Sequence, residues 1–406
     1  HHGDFVKVMD DSYALPEPGE VITYDFRKID DFSQNQKPEI IDSTATFKCL
    51  QWNVERNYCS SQILSTLKEL DPDIAFIQEI DIYCKRSENK NHFKEIASRL
   101  GWKGGFVCEF IELESEIRKD RDQGGGVHGN AIFTNHEITF RVLDHKHHPL
   151  DWEKQVGRIS QFSEILLDST NHINSHPYQL IFGDLNTMGH SIARLSPLYC
   201  TDRYRFLSLG CSESEWWDIN LFDWHINDGD INLKLQAGGS WIMVNLLKYF
   251  YYNNNDNNTN LDQIYSQLNN YMMSGFTLDV LRAARNPGFY DPWSPARDIT
   301  LANKNYFGLY SAKLDWTLLC GFEVVNRWIG NDDYSASDHK YMMVEIKFDE
   351  VDKISSSSKN NSWKMQRSYW KKELEGAEND NLGRWLKFLG IGISVSIFIF
   401  NALRRR

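Results

Sequence analysis

Apolar and polar residues alternate over 46–53, Thr-Phe-Lys-Cys-Leu-Gln-Trp-Asn, with Phe47, Cys49 and Gln51 on one side and Lys48, Leu50 and Trp52 on the other. The alternation predicts a strand that ends at Asn53. The period then lengthens. Ile63, Leu64, Leu67 and Leu70 share one helical face, and Asp71-Pro72 stops a helix over 60–70. Ile74-Ala-Phe-Ile77 is apolar throughout, as in a strand covered on both faces, and runs into Gln78-Glu79. A second helix over 91–100 carries Phe93, Ile96, Ala97 and Leu100, and Gly101 closes it. Strand, helix, strand, helix is the α/β pattern.

The pattern continues past the turn Gly124-Gly-Gly126. His128-Gly-Asn130-Ala-Ile-Phe133 reads as a strand, with 138–143 as its expected partner. A helix over 157–168 (Ile159, Phe162, Ile165, Leu166) leads into Leu180-Ile-Phe182, a short strand ending in Gly183-Asp184-Leu-Asn186. Residues 187–275 lack regular periodicity and read as a long insertion. A helix over 277–285 and strands over 314–319 and 341–346 follow; Ser337-Asp338-His339 precedes the last. The expected organisation is an irregular leader over 1–44, one domain over 45–348, a polar linker over 349–383 and an apolar tail over 384–406.

Composition narrows this picture. The 406-residue chain is 41% hydrophobic and 25% charged, as a folded protein with a large core should be. Its net charge of −12 argues against a generally basic, phosphate-tracking nucleic-acid binder. Seven cysteines with no C-x-x-C pair indicate free thiols in a reducing compartment. From Phe388 to Leu403 only Asn401 is strongly polar, Trp385 precedes this run, and Arg404–Arg406 follow it. We expect residues 385–403 to form a C-terminal transmembrane helix, with the domain on the cytosolic side of the mitochondrial outer membrane or the endoplasmic reticulum.

Polar residues recur at the strand ends: Asn53, Glu79, Asp184 with Asn186, and Asp338 with His339, while Asp315 lies within a fifth strand. A carboxylate at a strand end is commonly a turn or cap, and Gly-Asp-x-Asn alone favours an Asx turn. Together, however, they supply hard oxygen ligands for Mg2+ (Glu79, with Asn53 and Asp338) and an imidazole, His339, that Asp315 can orient. They also supply a base in Asp184 and a phosphoryl-oxygen donor in Asn186. Phosphate-ester hydrolysis needs these parts.

Leu50-Gln-Trp-Asn53, Gln78-Glu79, Gly183-Asp184-Leu-Asn186, Leu314-Asp315-Trp316 and Ser337-Asp338-His339 resemble, in order, the motifs of the endonuclease/exonuclease/phosphatase superfamily over residues 45–348. The resemblance implies two mixed β-sheets packed as a sandwich flanked by helices, and hydrolysis of a phosphodiester or phosphomonoester with Mg2+ or, alternatively, Mn2+. It implies Glu79 as metal ligand, Asn53 as a metal or phosphate contact, and Asp338 beside the metal. Asp184 would activate water, Asn186 would bind phosphate, and His339, oriented by Asp315, would meet the scissile phosphate. His128 and Asn130 match the family's Gly-Asn-Ala strand, where Asn130 orders a loop and both are substrate-binding candidates. The substrate would be a phospholipid or phosphoinositide headgroup, or RNA or DNA. The chain departs from the pattern near residue 155: Gln155 runs directly into the helix, and the family's Thr-His-Leu strand, whose His contacts phosphate, is missing. Losing such a donor costs about 10²–10³ in rate, so weak or no activity is expected, with a catalytically impaired scaffold as the rival reading.

Overall fold

The structure is a computed structural model describing residues 6–8, 15–28, 45–143, 157–187, 213–228, 242, 284–295, 297–303 and 310–349. Its first strands are β1 (Val6–Val8), β2 (Val21–Asp25) and β3 (Thr46–Asn53), followed by α1 (Ser60–Leu70), β4 (Ile74–Ile82) and α2 (His92–Leu100). Next come β5 (Lys103–Ile111), β6 (Val127–Thr134), α3 (Gly157–His172) and β7 (Gln179–Asp184). Helices α4 (Glu213–Trp217) and α5 (Asp223–Asp228) flank a π-helical turn, Asp218–Phe222. Strands β8 (Leu301–Asn303), β9 (Tyr310–Ala312), β10 (Asp315–Cys320), β11 (Phe322–Gly330) and β12 (Tyr341–Phe348) close the described chain.

Eight strands form one mixed sheet in the order β1-β2-β5-β6-β4-β3-β12-β11. β7 and β10 form a separate antiparallel ribbon, and β8 and β9 another. Period-two alternation decides what each face meets. Leu50 and Trp52 of β3 face α1 and α2, within a core that includes Ile63, Leu67, Phe93 and Ile96. Cys49 faces the opposite way, with Met342, Val344 and Ile346 of β12, against Leu180, Phe182 and Leu319 of the ribbon. The far side of the ribbon (Ile181, Trp316, Leu318) is covered by Ile159, Phe162 and Leu166 of α3 and by Trp216 and Trp217 of α4. The layers therefore run helix, sheet, ribbon, helix. This is an α/β fold built on one large mixed sheet.

The sequence reading differs from the structure in several places. The leader, read as irregular, supplies β1 and β2, and β2 pairs antiparallel with β5. Residues 138–143, expected to be a strand beside β6, are not one. Both edges of β6 are already taken, by β4 and β5, and Phe140 instead lies over Gly105, where an added Cβ would come within 2.5 Å of its ring. Of the expected helix 277–285, only Ala284 and Arg285 are described, and they are not helical. Most of the expected insertion, 187–275, and the tail, 385–403, lie outside the described residues. No helix among the described residues is long and apolar enough to cross a membrane. Among those residues β7 pairs on one edge only, with β10.

Candidate active site

Asn53, Asp184 and Asp315 all lie on the faces that the sheet and the ribbon turn toward each other, at the end where β3 and β7 finish and β10 begins. Gln51, two residues before Asn53 on the same face, donates from Nε2 to Asp315 Oδ1 at 2.7 Å and to Gln78 Oε1 at 2.7 Å. Asn53 Nδ2 donates to Glu79 Oε1 at 3.0 Å and to Asp184 Oδ2 at 3.2 Å, while Asn53 Oδ1 accepts the Glu55 N–H at 3.1 Å. Asn53 therefore bridges two carboxylates through its amide nitrogen. Asp184 Oδ1 accepts the Asn186 N–H at 2.8 Å. The Asx turn expected from Gly-Asp-x-Asn is present, and it fixes the carboxylate. Asn186 itself is exposed and has φ +50°.

Glu79 reaches the same place through a bulge. The β4–β6 register shifts between Ile77 and Ile80, and Glu79 has φ +57°. Left-handed backbone at a non-glycine residue costs on the order of 1–3 kcal/mol and persists only where the surroundings impose it. Asn130 Oδ1 accepts the Glu79 N–H at 3.2 Å and so holds the bulge. His128 points elsewhere: its Nδ1 meets Asp81 Oδ1 at 2.8 Å, Arg86 grips the same carboxylate, and the ring stacks on Phe110.

Three residues form a buried relay. His339 Nδ1 lies 2.8 Å from Asp315 Oδ2, and its Nε2 lies 3.8 Å from Asp184 Oδ2 and 4.0 Å from Asp338 Oδ1. Burial alone would favour neutral imidazole, but Asp315, Asp184 and Asp338 together raise His339 to about 10. Burial, reinforced by the charge of Asp315, pushes the Asp184 carboxyl up to about 7. Burial acts on Asp315 too, yet its contacts with His339, Thr300 and Gln51 hold it below the usual carboxylate range. The backbone of His339 is pinned as well: Trp52 Nε1 and Asn331 Nδ2 donate to its carbonyl, and its N–H donates to Ser337 Oγ.

Two sets of side chains could hold a cation. Asp184, Asp315 and His339 offer ligand atoms within 4.8 Å of one another. However, both oxygens of Asp315 are already engaged, by Gln51 and by His339 Nδ1, which leaves that nitrogen taken as well. Glu79 and Asp338 fit better. The Asp338 side chain is 52% exposed; burial of its carboxyl and the neighbouring charge of Glu79 raise it above its ordinary value, and a bound cation would relieve that repulsion. Mg2+ keeps several waters, so two hard carboxylates suffice.

Sequence reasoning missed Gln51, Gln78 and Glu55. Gln51 was detectable: it is a fully buried amide two residues before Asn53 in the same alternation. Glu55 accepts the Asp338 N–H at 3.1 Å and so ties the end of β3 to the segment before β12, a long-range contact with no local sequence signal.

Glu79 on its bulge and the buried Asp184, His339 and Asp315 thus meet at one end of a large mixed sheet in an α/β fold. The chain belongs to the Endonuclease/Exonuclease/phosphatase family, whose sequence model matches residues 50–339, more than half of the 406. No curated protein matches the chain by sequence. Similar solved structures include the endonuclease/exonuclease/phosphatase from Beutenbergia cavernae (13% identity, 75% of this chain and 72% of that one, TM-score 0.41). Others are ANGEL2, a 2′,3′-cyclic phosphatase, in complex with adenosine-2′,3′-vanadate (13%, 75% and 96%, 0.37), and truncated Caenorhabditis elegans TDP2 (12%, 74% and 98%, 0.36). Membership rests on the sequence match.

Proposed function

We propose that this chain hydrolyses a phosphodiester or phosphomonoester with Mg2+, Mn2+ serving as a substitute. The observation that carries this reading is the Asp184–His339–Asp315 relay beside Glu79 and Asp338. Asp184, raised to about 7, takes a proton from the attacking water. His339 stays cationic, held by Asp315, and donates from Nε2 to the phosphoryl oxygen that gains charge. Glu79 and Asp338 would hold the metal, which supplies Lewis-acid polarisation of the phosphoryl group. Asn53 sets the spacing of Glu79 and Asp184.

The test is release of p-nitrophenol from bis-p-nitrophenyl phosphate, with and without Mg2+, for the native chain, Asp184→Asn and His339→Ala. We expect Mg2+-dependent turnover that falls about 10²–10⁴-fold in Asp184→Asn and about 10²–10³-fold in His339→Ala. Three traces equal to the no-enzyme control would overturn the hydrolase reading and leave a phosphate-binding scaffold, which the missing Thr-His-Leu segment favours. Any active form would then be offered phosphoinositide, phospholipid and RNA or DNA substrates side by side.

We further propose that residues 385–403 anchor the domain to a membrane and leave it facing the cytosol, on the strength of their apolar run and flanking basic residues. A fluorescent fusion carrying 380–406 should decorate the mitochondrial outer membrane or the endoplasmic reticulum; a diffuse signal would overturn this.

A further inference from the structure

Directly after Asn53 and Val54 the chain makes a short turn, Glu55–Asn57, in which three successive non-glycine residues take positive φ: 45°, 60° and 59°. Such residues normally visit this region singly. The turn also holds three buried polar atoms without a hydrogen-bond partner: Arg56 Nε and both amide atoms of Asn57, a residue only 1% exposed. Buried polar groups are almost always partnered; the Arg56 guanidinium bonds Tyr58, but its Nε and the adjacent Asn57 amide keep hydrogen-bonding capacity that no protein group fills. Glu55 is braced from two sides, by the Asp338 N–H and by Arg121 at 3.3 Å. Arg56 makes no ion pair among the described residues, yet its charge is felt by Asp338, and Glu79 acts on it in turn. It is thus a cation held beside the two acids best placed for a metal, with its Nε still to be satisfied.

We propose that Arg56 is a substrate-binding residue that clamps a phosphoryl oxygen beside Glu79 and Asp338, and that the left-handed turn exists to aim it. A planar guanidinium suits a phosphate, to which it can donate two parallel hydrogen bonds. It supplies, from the end of β3, a positive donor of the kind lost with the Thr-His-Leu strand. The inference rests on the phosphoester reading but is tested apart from it.

The probe is inorganic phosphate, titrated calorimetrically into the full chain with Mg2+ present, for the native protein, Arg56→Lys and Arg56→Gly. Glycine tolerates a φ of +60°, so Arg56→Gly relieves backbone strain while removing the guanidinium. The expected result is phosphate affinity weakened about 10–10²-fold in Arg56→Gly and less in Arg56→Lys, which keeps the charge and loses the fork. Thermal stability of Arg56→Gly should be equal or higher, and its Mn2+ affinity equal or tighter, because a cation near two acidic ligands has gone. Equal phosphate affinity in native protein and Arg56→Gly, or no phosphate binding by the native chain, would overturn the proposal. A lower melting temperature with unchanged phosphate affinity would likewise overturn it and make Arg56 structural. Turnover of bis-p-nitrophenyl phosphate judges the hydrolase reading separately.

Discussion

Replacing Asp315 by Asn changes little volume and removes one charge from the middle of the relay. Asp315 is fully buried, and its Oδ2 lies 2.8 Å from His339 Nδ1. At that distance and an effective dielectric of about 20, a full ion pair is worth about 6 kcal/mol, and on the order of 4 once charge is spread over both groups. At 1.4 kcal/mol per pH unit, the imidazole should fall from about 10 to about 7, and burial pulls it lower still. The Asn amide then donates to Nδ1, and the neutral ring keeps a proton on Nε2. The donor to phosphate survives but loses its charge. Charge-assisted hydrogen bonds are roughly twice as strong as neutral ones, so kcat at pH 8 should fall about 10–10²-fold. In the native chain activity should rise through about 7, as Asp184 loses its proton, and fall through about 10, as His339 loses its own. A bound cation moves the acid limb lower. In Asp315→Asn the basic limb should retreat to neutral pH or below. The assay is kcat/KM against pH, with the His339 ring followed by NMR. An unchanged basic limb, or a His339 ring still titrating near 10, would sink the argument that Asp315 charges the imidazole.

Other expectations follow from the same contacts. Because Asp184 binds its proton more tightly folded (about 7) than unfolded, its contribution to stability is complete below about 4 and is lost as pH rises through about 7. Asp184→Asn should therefore be relatively more stable than the native chain at pH 8 while losing activity; a melting temperature that falls equally at pH 4 and pH 8 would contradict this. Glu79→Gln should weaken Mn2+ binding, read by electron paramagnetic resonance, about 10–10²-fold with the fold intact, since Asn130 holds the backbone and not the carboxylate. Unchanged Mn2+ affinity would remove Glu79 from the metal site. Lys313 is buried, 2.6 Å from Asp291 Oδ2, and donates to the Asp315 carbonyl at 2.8 Å. Lys313→Met leaves the buried Asp291 with only Thr317 and His225 beside it and should cost about 3–5 kcal/mol in urea unfolding, whereas a loss under 1 kcal/mol would mean that these two suffice.

Elements with a clean local period could be read directly: α1 from Ile63 and Leu67, β3 from its alternation, β10 and β12 from apolar runs. The strands that escaped did so for identifiable reasons. In β5, Gly104 and Gly105 break the apolar pattern because aromatic rings occupy the space of their missing side chains: a Cβ on Gly104 would sit 2.8 Å from Phe93 and 2.9 Å from Phe133. β11 is an edge strand with a bulge between Val324 and Asn326, and Val325 is half-exposed, so its alternation slips. β2 follows two prolines and finds its partner in β5 rather than nearby. At the site, Asp184 and His339 lay in spaced motifs, whereas Arg56 owes its place to backbone torsions that no residue type announces.

The pairing of β3 with β12 also governs when the site can exist. Ser337 Oγ bonds the Asn53 carbonyl across 284 positions of chain, and Trp52 bonds the His339 carbonyl across 287. Contacts of such long range close late in folding, after the loop-closure cost has been met. A chain growing from the ribosome would present Asn53 and Glu79 long before Asp338 and His339 are made. Until the last strand docks, Asn53 and Glu79 stand without Asp338 and His339, and the cluster is incomplete.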